Sequence, residues 1–126
     1  MQKILMIDDD IMNQKMAKYI LKNHYEVICA ESGEEGIEIL KSDVIDLVLL
    51  DLYMPNMSGL EVLAKIRQDS AIAAVKVIIL TASGMRADVT EAIRLGALDF
   101  IKKLFFPQNF LRESRKYFRS QKRILS

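Results

Sequence analysis

Short apolar runs and segments of helical spacing alternate five times along this chain. The runs at 3–7, 26–30, 46–50, 76–80 and 99–102 are rich in Ile, Val and Leu, as expected of strands buried on both faces. Between them, Met12, Met16, Tyr19, Ile20 and Leu21 mark the apolar face of a first helix, with Asn23-His24 as its stop. Ser32 followed by Glu35 is a capping box that starts a second, whose apolar residues are Ile37, Ile39 and Leu40. Ser58-Gly59 opens a third carrying Leu60, Leu63, Ala64 and Ile66. A fourth holds Val89, Ala92, Ile93 and Leu95 before a Gly96 stop, and Pro107 suits the first turn of a fifth, where its missing N–H has no intrahelical partner. Strand then helix, five times over and with connections too long for hairpins, predicts an α/β domain: a parallel sheet with helices on both faces. The expected strand order is the doubly wound 2-1-3-4-5.

The polar residues that end these runs carry the chemistry. Ile4-Leu5-Met6-Ile7 runs into Asp8-Asp9-Asp10, Leu47-Val48-Leu49-Leu50 into Asp51, Val77-Ile78-Ile79-Leu80 into Thr81, and Phe100-Ile101 into Lys102-Lys103. Parallel strands bring all four ends to one rim, where open α/β sheets bind ligands. With strands 1 and 3 adjacent, Asp8, Asp9 and Asp51 face one another, and three carboxylates in one pocket need a cation. Oxygen ligands with no His or Cys beside them suit Mg²⁺, which keeps several waters and neutralises an incoming phosphoryl group. Lys103 and the Thr81 hydroxyl supply a cation and a donor for the remaining phosphoryl oxygens, and a carboxylate can itself be the nucleophile, giving an acyl phosphate.

Composition narrows the function without naming it. At 126 residues and 51% hydrophobic, the chain is long enough for one substantial core and too short for two ordinary domains. Lys plus Arg at 18 against Asp plus Glu at 17 argues against nucleic acid or anionic membrane as the partner of the whole surface. No apolar stretch approaches the roughly 18 to 20 residues of a membrane span, and Met1-Gln2-Lys3 opens straight into a strand-length run, so the expectation is a cytoplasmic protein. Cys29 is the single cysteine and excludes an internal disulfide; it is expected to be an inert core residue. From Arg112 to Arg123, six cations stand against Glu113 alone. They are a solvated helix face or a basic edge that pairs with acidic residues of a partner or a second copy, Asp88 and Glu91 being examples. No folded DNA-binding domain follows, so specific nucleic acid binding is not expected.

These residues, in this order and spacing, resemble the receiver domain of two-component response regulators, the superfamily of the chemotaxis response regulator. Asp8-Asp9 match its acidic pair, and Asp51 within Leu49-Leu50-Asp51-Leu52-Tyr53-Met54-Pro55-Asn56-Met57-Ser58-Gly59 matches its phosphoacceptor motif. Thr81-Ala82 matches its switch hydroxyl, and Gly96-Ala97-Leu98-Asp99-Phe100-Ile101-Lys102-Lys103 resembles the segment that ends at its lysine. The resemblance covers residues 3 to about 118. It implies a flavodoxin-like (βα)₅ fold, with a receiver domain over 1–120 and a basic tail over 121–126. It implies further that a phosphorylated histidine kinase, or a phosphotransfer protein, donates its phosphoryl group to Asp51. Mg²⁺ would sit on Asp9 and Asp51, with Asp8 acting through water and the Tyr53 backbone carbonyl as a further ligand. Phe100 falls where the family has an aromatic rotamer switch: Thr81 moving toward the phosphoryl group lets that ring turn inward and reshapes the face of helix 4, strand 5 and helix 5. The output would be a downstream effector protein or an effector domain of a longer chain, with a homodimer through the same face as a further expectation. Such a protein is a phosphoacceptor switch rather than an enzyme.

One departure stands out. The family usually has Lys-Pro and then an aromatic, with that bond cis, whereas this chain has Lys103-Leu104-Phe105. A cis bond before Leu costs roughly 3 to 4 kcal/mol, so trans is expected here. Three other classes share some features. A phosphatase of the haloacid dehalogenase type also uses an Asp-x-Asp after strand 1, which Asp8 and Asp10 meet, but no cap domain fits in 126 residues. A flavodoxin-like FMN carrier should have Ser, Thr and Gly after strand 1, where three aspartates would repel a phosphate. A pseudo-receiver that binds partners without phosphorylation has Leu104 in its favour.

Overall fold

The computed structural model describes residues 1–82, 86–103 and 106–118. Strands and helices alternate as β1 (Lys3–Ile7), α1 (Ile11–Leu21), β2 (Glu26–Ala30), α2 (Gly33–Ser42), β3 (Leu47–Asp51), α3 (Gly59–Gln68), β4 (Val77–Thr81), α4 (Arg86–Arg94), β5 (Asp99–Lys102) and α5 (Gln108–Glu113). All strands are parallel, in the order β2-β1-β3-β4-β5 that the sequence predicts. Strands β3 and β4 begin and end one residue later than the apolar runs, so Asp51 and Thr81 are themselves the last strand residues.

Alternation along the strands divides the core in two. Leu5, Ile7, Val48, Leu50, Val77 and Ile79 pack beneath α2, α3 and α4, against Val62, Leu63, Ile66 and Ala92. Ile4, Met6, Leu47, Leu49, Ile78, Leu80 and Ile101 pack beneath α1 and α5, against Ala17, Leu21 and Phe110. Strands β1, β3 and β4 are buried on both faces as expected. The edge strands are not: β2 buries only Ala30 fully and β5 only Ile101, because each lacks a neighbour on one side. Cys29 is accordingly half-buried rather than a full core residue, and burial pushes its thiol pKa up.

Two helices differ from the sequence reading in instructive ways. Of the apolar residues expected on the inner face of α1, Leu21 is fully buried and Ile20 packs against the core, but Met12, Met16 and Tyr19 point outward, 67%, 48% and 72% exposed. Its buried stripe is Gln14, Ala17 and Leu21, because a small residue lets the helix approach the sheet and the Gln14 amide reaches two carbonyls at the strand ends. In α2, Ser32 does accept from the Glu35 N–H, but Glu35 returns its carboxylate to the N–H of Glu31 instead of to the cap. The complete reciprocal capping box belongs to Ser58 and Glu61 at the start of α3. Gly96 ends α4 with φ +86°, as its position suggested. Pro107 stands at the cap of α5, one residue before the first turn, and its bond to Phe106 is cis. No helix among the described residues is long and apolar enough to cross a membrane.

Gly59 holds the loop after β3 close to the sheet. Its N–H donates to the Leu52 carbonyl at 2.8 Å, and a Cβ there would lie 2.2 Å from the Asp51 carbonyl oxygen and 2.6 Å from Leu52 Cα. Both obstacles are backbone, so the loop itself would have to move. Gly59→Ala is expected to lower the unfolding free energy by about 1–3 kcal/mol, read as a shifted urea midpoint. An unchanged midpoint would mean that the loop yields without cost.

Candidate functional site

Register determines which strand ends meet. Ile7 pairs with Leu50, so Asp8 follows directly opposite Asp51; Asp51 pairs with Leu80, one residue before Thr81; and Thr81 pairs with Lys102, one residue before Lys103. Carboxylate oxygens of Asp8, Asp9 and Asp51 lie within 4.8 Å of one another. Asp8 is fully buried and Asp51 is 2% exposed, whereas Asp9 faces outward. The Lys103 ammonium donates to Asp51 Oδ2 at 2.8 Å and lies 3.4 Å from Asp8 Oδ2.

Local structure locks these carboxylates in orientation. Asp8 Oδ1 accepts from the Asp10 N–H at 2.9 Å and Oδ2 from the Asn13 side-chain amide at 3.3 Å. Asp51 Oδ1 accepts from the Tyr53 N–H at 3.1 Å. Asp10 caps α1 by accepting from the N–H groups of Met12 and Asn13, which fixes the turn between β1 and the helix. Gln14 donates to the Asp8 carbonyl at 2.7 Å and to the Ala30 carbonyl at 3.4 Å, tying the ends of β1 and β2 to α1. The sequence reading did not single out Asn13 or Gln14. Their signal is the second stripe of α1: Ala17 and Leu21 face the sheet, and the same helical face one turn earlier is Gln14.

Three carboxylates against one ammonium leave the cluster negative. Burial, with the like charge of Asp8, pushes the Asp51 pKa up against the opposing pull of the Lys103 ammonium and the Tyr53 N–H. Burial pulls Lys103 down, but Asp51 and then Asp8 outweigh it and hold its pKa above the ordinary lysine value. The donors are oxygens alone, two of the three nearly inaccessible to bulk water and already oriented, which is a set that fits a hard cation of the Mg²⁺ kind.

Thr81 is fully buried as the last residue of β4, at the same rim of the sheet as Asp51 on the neighbouring β3. Phe100 is on β5, 38% exposed. Tyr53 is 47% exposed, and its hydroxyl donates to Asp88. Asp88 and Glu91, named from sequence as examples of acidic partners for the basic edge, both have partners within the chain, because Glu91 pairs with Arg94. Of the basic edge itself, Arg112 bonds Asn109 and Lys116 lies near Glu113 and Asp99. Arg119, Lys122 and Arg123 fall outside the described residues, as do Leu104 and Phe105, so the expected trans bond at Leu104 lies there too.

A raised folded pKa at Asp51 means that the ionised carboxylate is destabilised by folding, a cost present above that pKa and relieved as the pH falls through it. Metal-free Asp51→Asn is therefore expected to melt above the parent at pH 7, with the gap narrowing as the pH drops and the parent's carboxyl takes up its proton. Scanning calorimetry in chelator checks this, and a variant melting below the parent would show that the Lys103 pair outweighs burial.

The comparisons with known proteins agree with this geometry. The family model of the response regulator receiver domain matches residues 4–114. Chemotaxis protein CheY of Bacillus subtilis is 41% identical over 105 residues, spanning 82% of this chain and 86% of that protein. Transcriptional regulatory protein CrdR of Helicobacter pylori is 37% identical over 105 residues, spanning 82% of this chain but only 49% of CrdR. Among solved structures, response regulator TrrA of Thermotoga maritima, in complex with Mg²⁺ and BeF, matches with a TM-score of 0.79 at 34% identity and covers 93% of this chain and 99% of that one. A sheet ordered 2-1-3-4-5 with an acidic cluster and a lysine at its carboxyl rim, together with these matches, makes the chain a member of the response regulator receiver domain family of two-component signal transduction.

Proposed function

We propose that Asp51 is the phosphoacceptor of this receiver and that its neighbours divide the work of the transfer. The observation that carries the reading is a buried carboxylate at the end of the central strand β3, with two more carboxylates within 4.8 Å and an ammonium at 2.8 Å. A carboxylate oxygen of Asp51 attacks phosphorus, an O–P bond forms, and the bond from phosphorus to the donor's imidazole nitrogen or acyl oxygen breaks with the donor as leaving group. Asp9 and Asp51, with Asp8 through water and the Tyr53 carbonyl, would hold Mg²⁺, which supplies charge neutralisation between the phosphoryl oxygens and the carboxylates. The Mg²⁺ bound in TrrA supports that choice of ion. Lys103 binds a phosphoryl oxygen once its pairing with the Asp51 carboxylate is weakened by phosphorylation, and the Thr81 hydroxyl donates to another.

The donor is a histidine kinase or a phosphotransfer protein, and the output is read at the face of α4, β5 and α5. Phe100, now partly exposed on β5, turns inward when Thr81 moves toward the phosphoryl group. That face then meets a downstream effector protein, an effector domain of a longer chain or a second copy. The receiver unit spans 1–120, the basic tail 121–126, and the protein works in the cytoplasm.

Incubation with acetyl phosphate and Mg²⁺, followed by intact mass, tests the reading. The expected result is a labile gain of one phosphoryl group that Asp51→Ala abolishes and chelator prevents. Lys103→Ala is expected to slow that gain roughly 10²-fold, the size of losing one charged contact to the transferring group. No gain from acetyl phosphate or from any phosphorylated kinase would leave a receiver fold that binds partners without phosphorylation.

A further inference from the structure

Tyr53 spans the gap between the acidic cluster and α4. Its backbone N–H donates to Asp51 Oδ1 at 3.1 Å, and its hydroxyl donates to Asp88 Oδ2, in the first turn of α4 and 35 residues away in sequence. We propose that Asp88 is a positioning residue for the phosphoacceptor site: by holding the Tyr53 ring it steadies the loop backbone over 52–54 and couples α4 to Asp51. The inference rests on the reading of Asp51 as phosphoacceptor and extends it to a residue outside the site.

Several observations support this role. The two ends of α4 are fastened differently. At its C-terminal end Arg67 donates to the Leu95 carbonyl at 2.8 Å and to the Gly96 carbonyl at 3.1 Å, while the same guanidinium grips Ala73 and Val75, so this end is bound to α3 and the loop that follows α3. At its N-terminal turn the helix meets the rim through Asp88 and Tyr53. The Tyr53 ring is 47% exposed and Asp88 half-buried, so the tie lies outside the two hydrophobic cores and contributes to position more than to packing. The bond is charge-assisted, phenol to carboxylate, which makes it stronger and more directional than a neutral pair. Glu91, one turn further along α4, is engaged by Arg94 and does not compete for the phenol.

The consequence is reciprocal. If α4 and Asp51 share one hydrogen-bonded chain, a change at Asp51 is felt at the first turn of α4, and anything that draws Asp88 away alters how firmly the Tyr53 N–H and carbonyl are held for the site. Double-mutant cycles show whether such a chain transmits energy or only connects the two places in space.

Calorimetric titration of Mg²⁺ into the unphosphorylated protein reads the coupling without the phosphoryl reaction. Asp88→Ala and Tyr53→Phe are each expected to weaken Mg²⁺ binding roughly two- to tenfold, the range of one hydrogen bond, with the double variant no weaker than either single one. Asp88→Asn keeps an acceptor oxygen and is expected to retain most of the affinity, and it decides the matter if Asp88→Ala melts well below the parent. The amide shifts of Val89 and Ala92 on Mg²⁺ addition are expected in the parent and diminished in both single variants. Parental affinity in both variants, or effects that add in the double variant, would overturn the tie while leaving Asp51 as phosphoacceptor. A parent that binds no Mg²⁺ and takes no phosphoryl group from acetyl phosphate would overturn both.

Discussion

One ammonium holds together the carboxyl end of the sheet. Lys103 stands 2.8 Å from Asp51 Oδ2 and 3.4 Å from Asp8 Oδ2, so a charge supplied after β5 reaches across to the ends of β3 and β1. Without a cation, two buried carboxylates facing each other would repel in a medium that screens poorly, and the strand ends would have to part or a proton would have to be taken up. With it, one positive charge leaves three carboxylates incompletely neutralised, a charge balance that suits a divalent cation. Folding stability and an ionised carboxylate therefore pull against each other at Asp51, whose raised pKa records the cost.

The scaffold spends its local interactions on keeping that cluster in register. Asp10 caps α1, Asn13 and the Asp10 N–H orient the Asp8 carboxylate, and Gln14 clamps the Asp8 and Ala30 carbonyls from within the helix. On the other side, Gly59 lets the start of α3 lie against the Asp51 and Leu52 backbone, and the Tyr53 N–H fixes the second Asp51 oxygen. Buried polar groups of this kind cost stability only when left unsatisfied, and among the described residues no buried side-chain nitrogen or oxygen lacks a partner. The rim can thus be polar and dry at once, which raises the strength of every charge interaction inside it.

Much of this is legible in the amino-acid pattern. Short apolar runs locate the five strands to within a residue, helical spacing and cap residues mark the five helices between them, and the alternation of strand and helix implies a parallel sheet. The acidic residues after Ile7 and at Asp51, the hydroxyl at Thr81 and the lysine at 103 are visible because each follows closely on an apolar run. The departures have physical causes. Met12, Met16 and Tyr19 have helical spacing but lie on the outer face of α1, since periodicity reports that a stripe exists and not which of two stripes meets the sheet. The edge strands β2 and β5 have the composition of interior ones because composition does not record how many neighbours a strand has.

The sequence by itself determined the elements, their alternation and the chemical types at the strand ends, because these follow from short-range sterics and from the periodic placement of apolar side chains. Only the tertiary structure decided how those ends engage one another. The Lys103–Asp51–Asp8 pairing, the Asn13 and Gln14 clamps and the reach of Tyr53 to Asp88 join residues between 5 and 95 positions apart, and their geometry depends on strand register and helix rotation. Those quantities come from packing two cores against one twisted sheet, and no local stretch of the chain contains them.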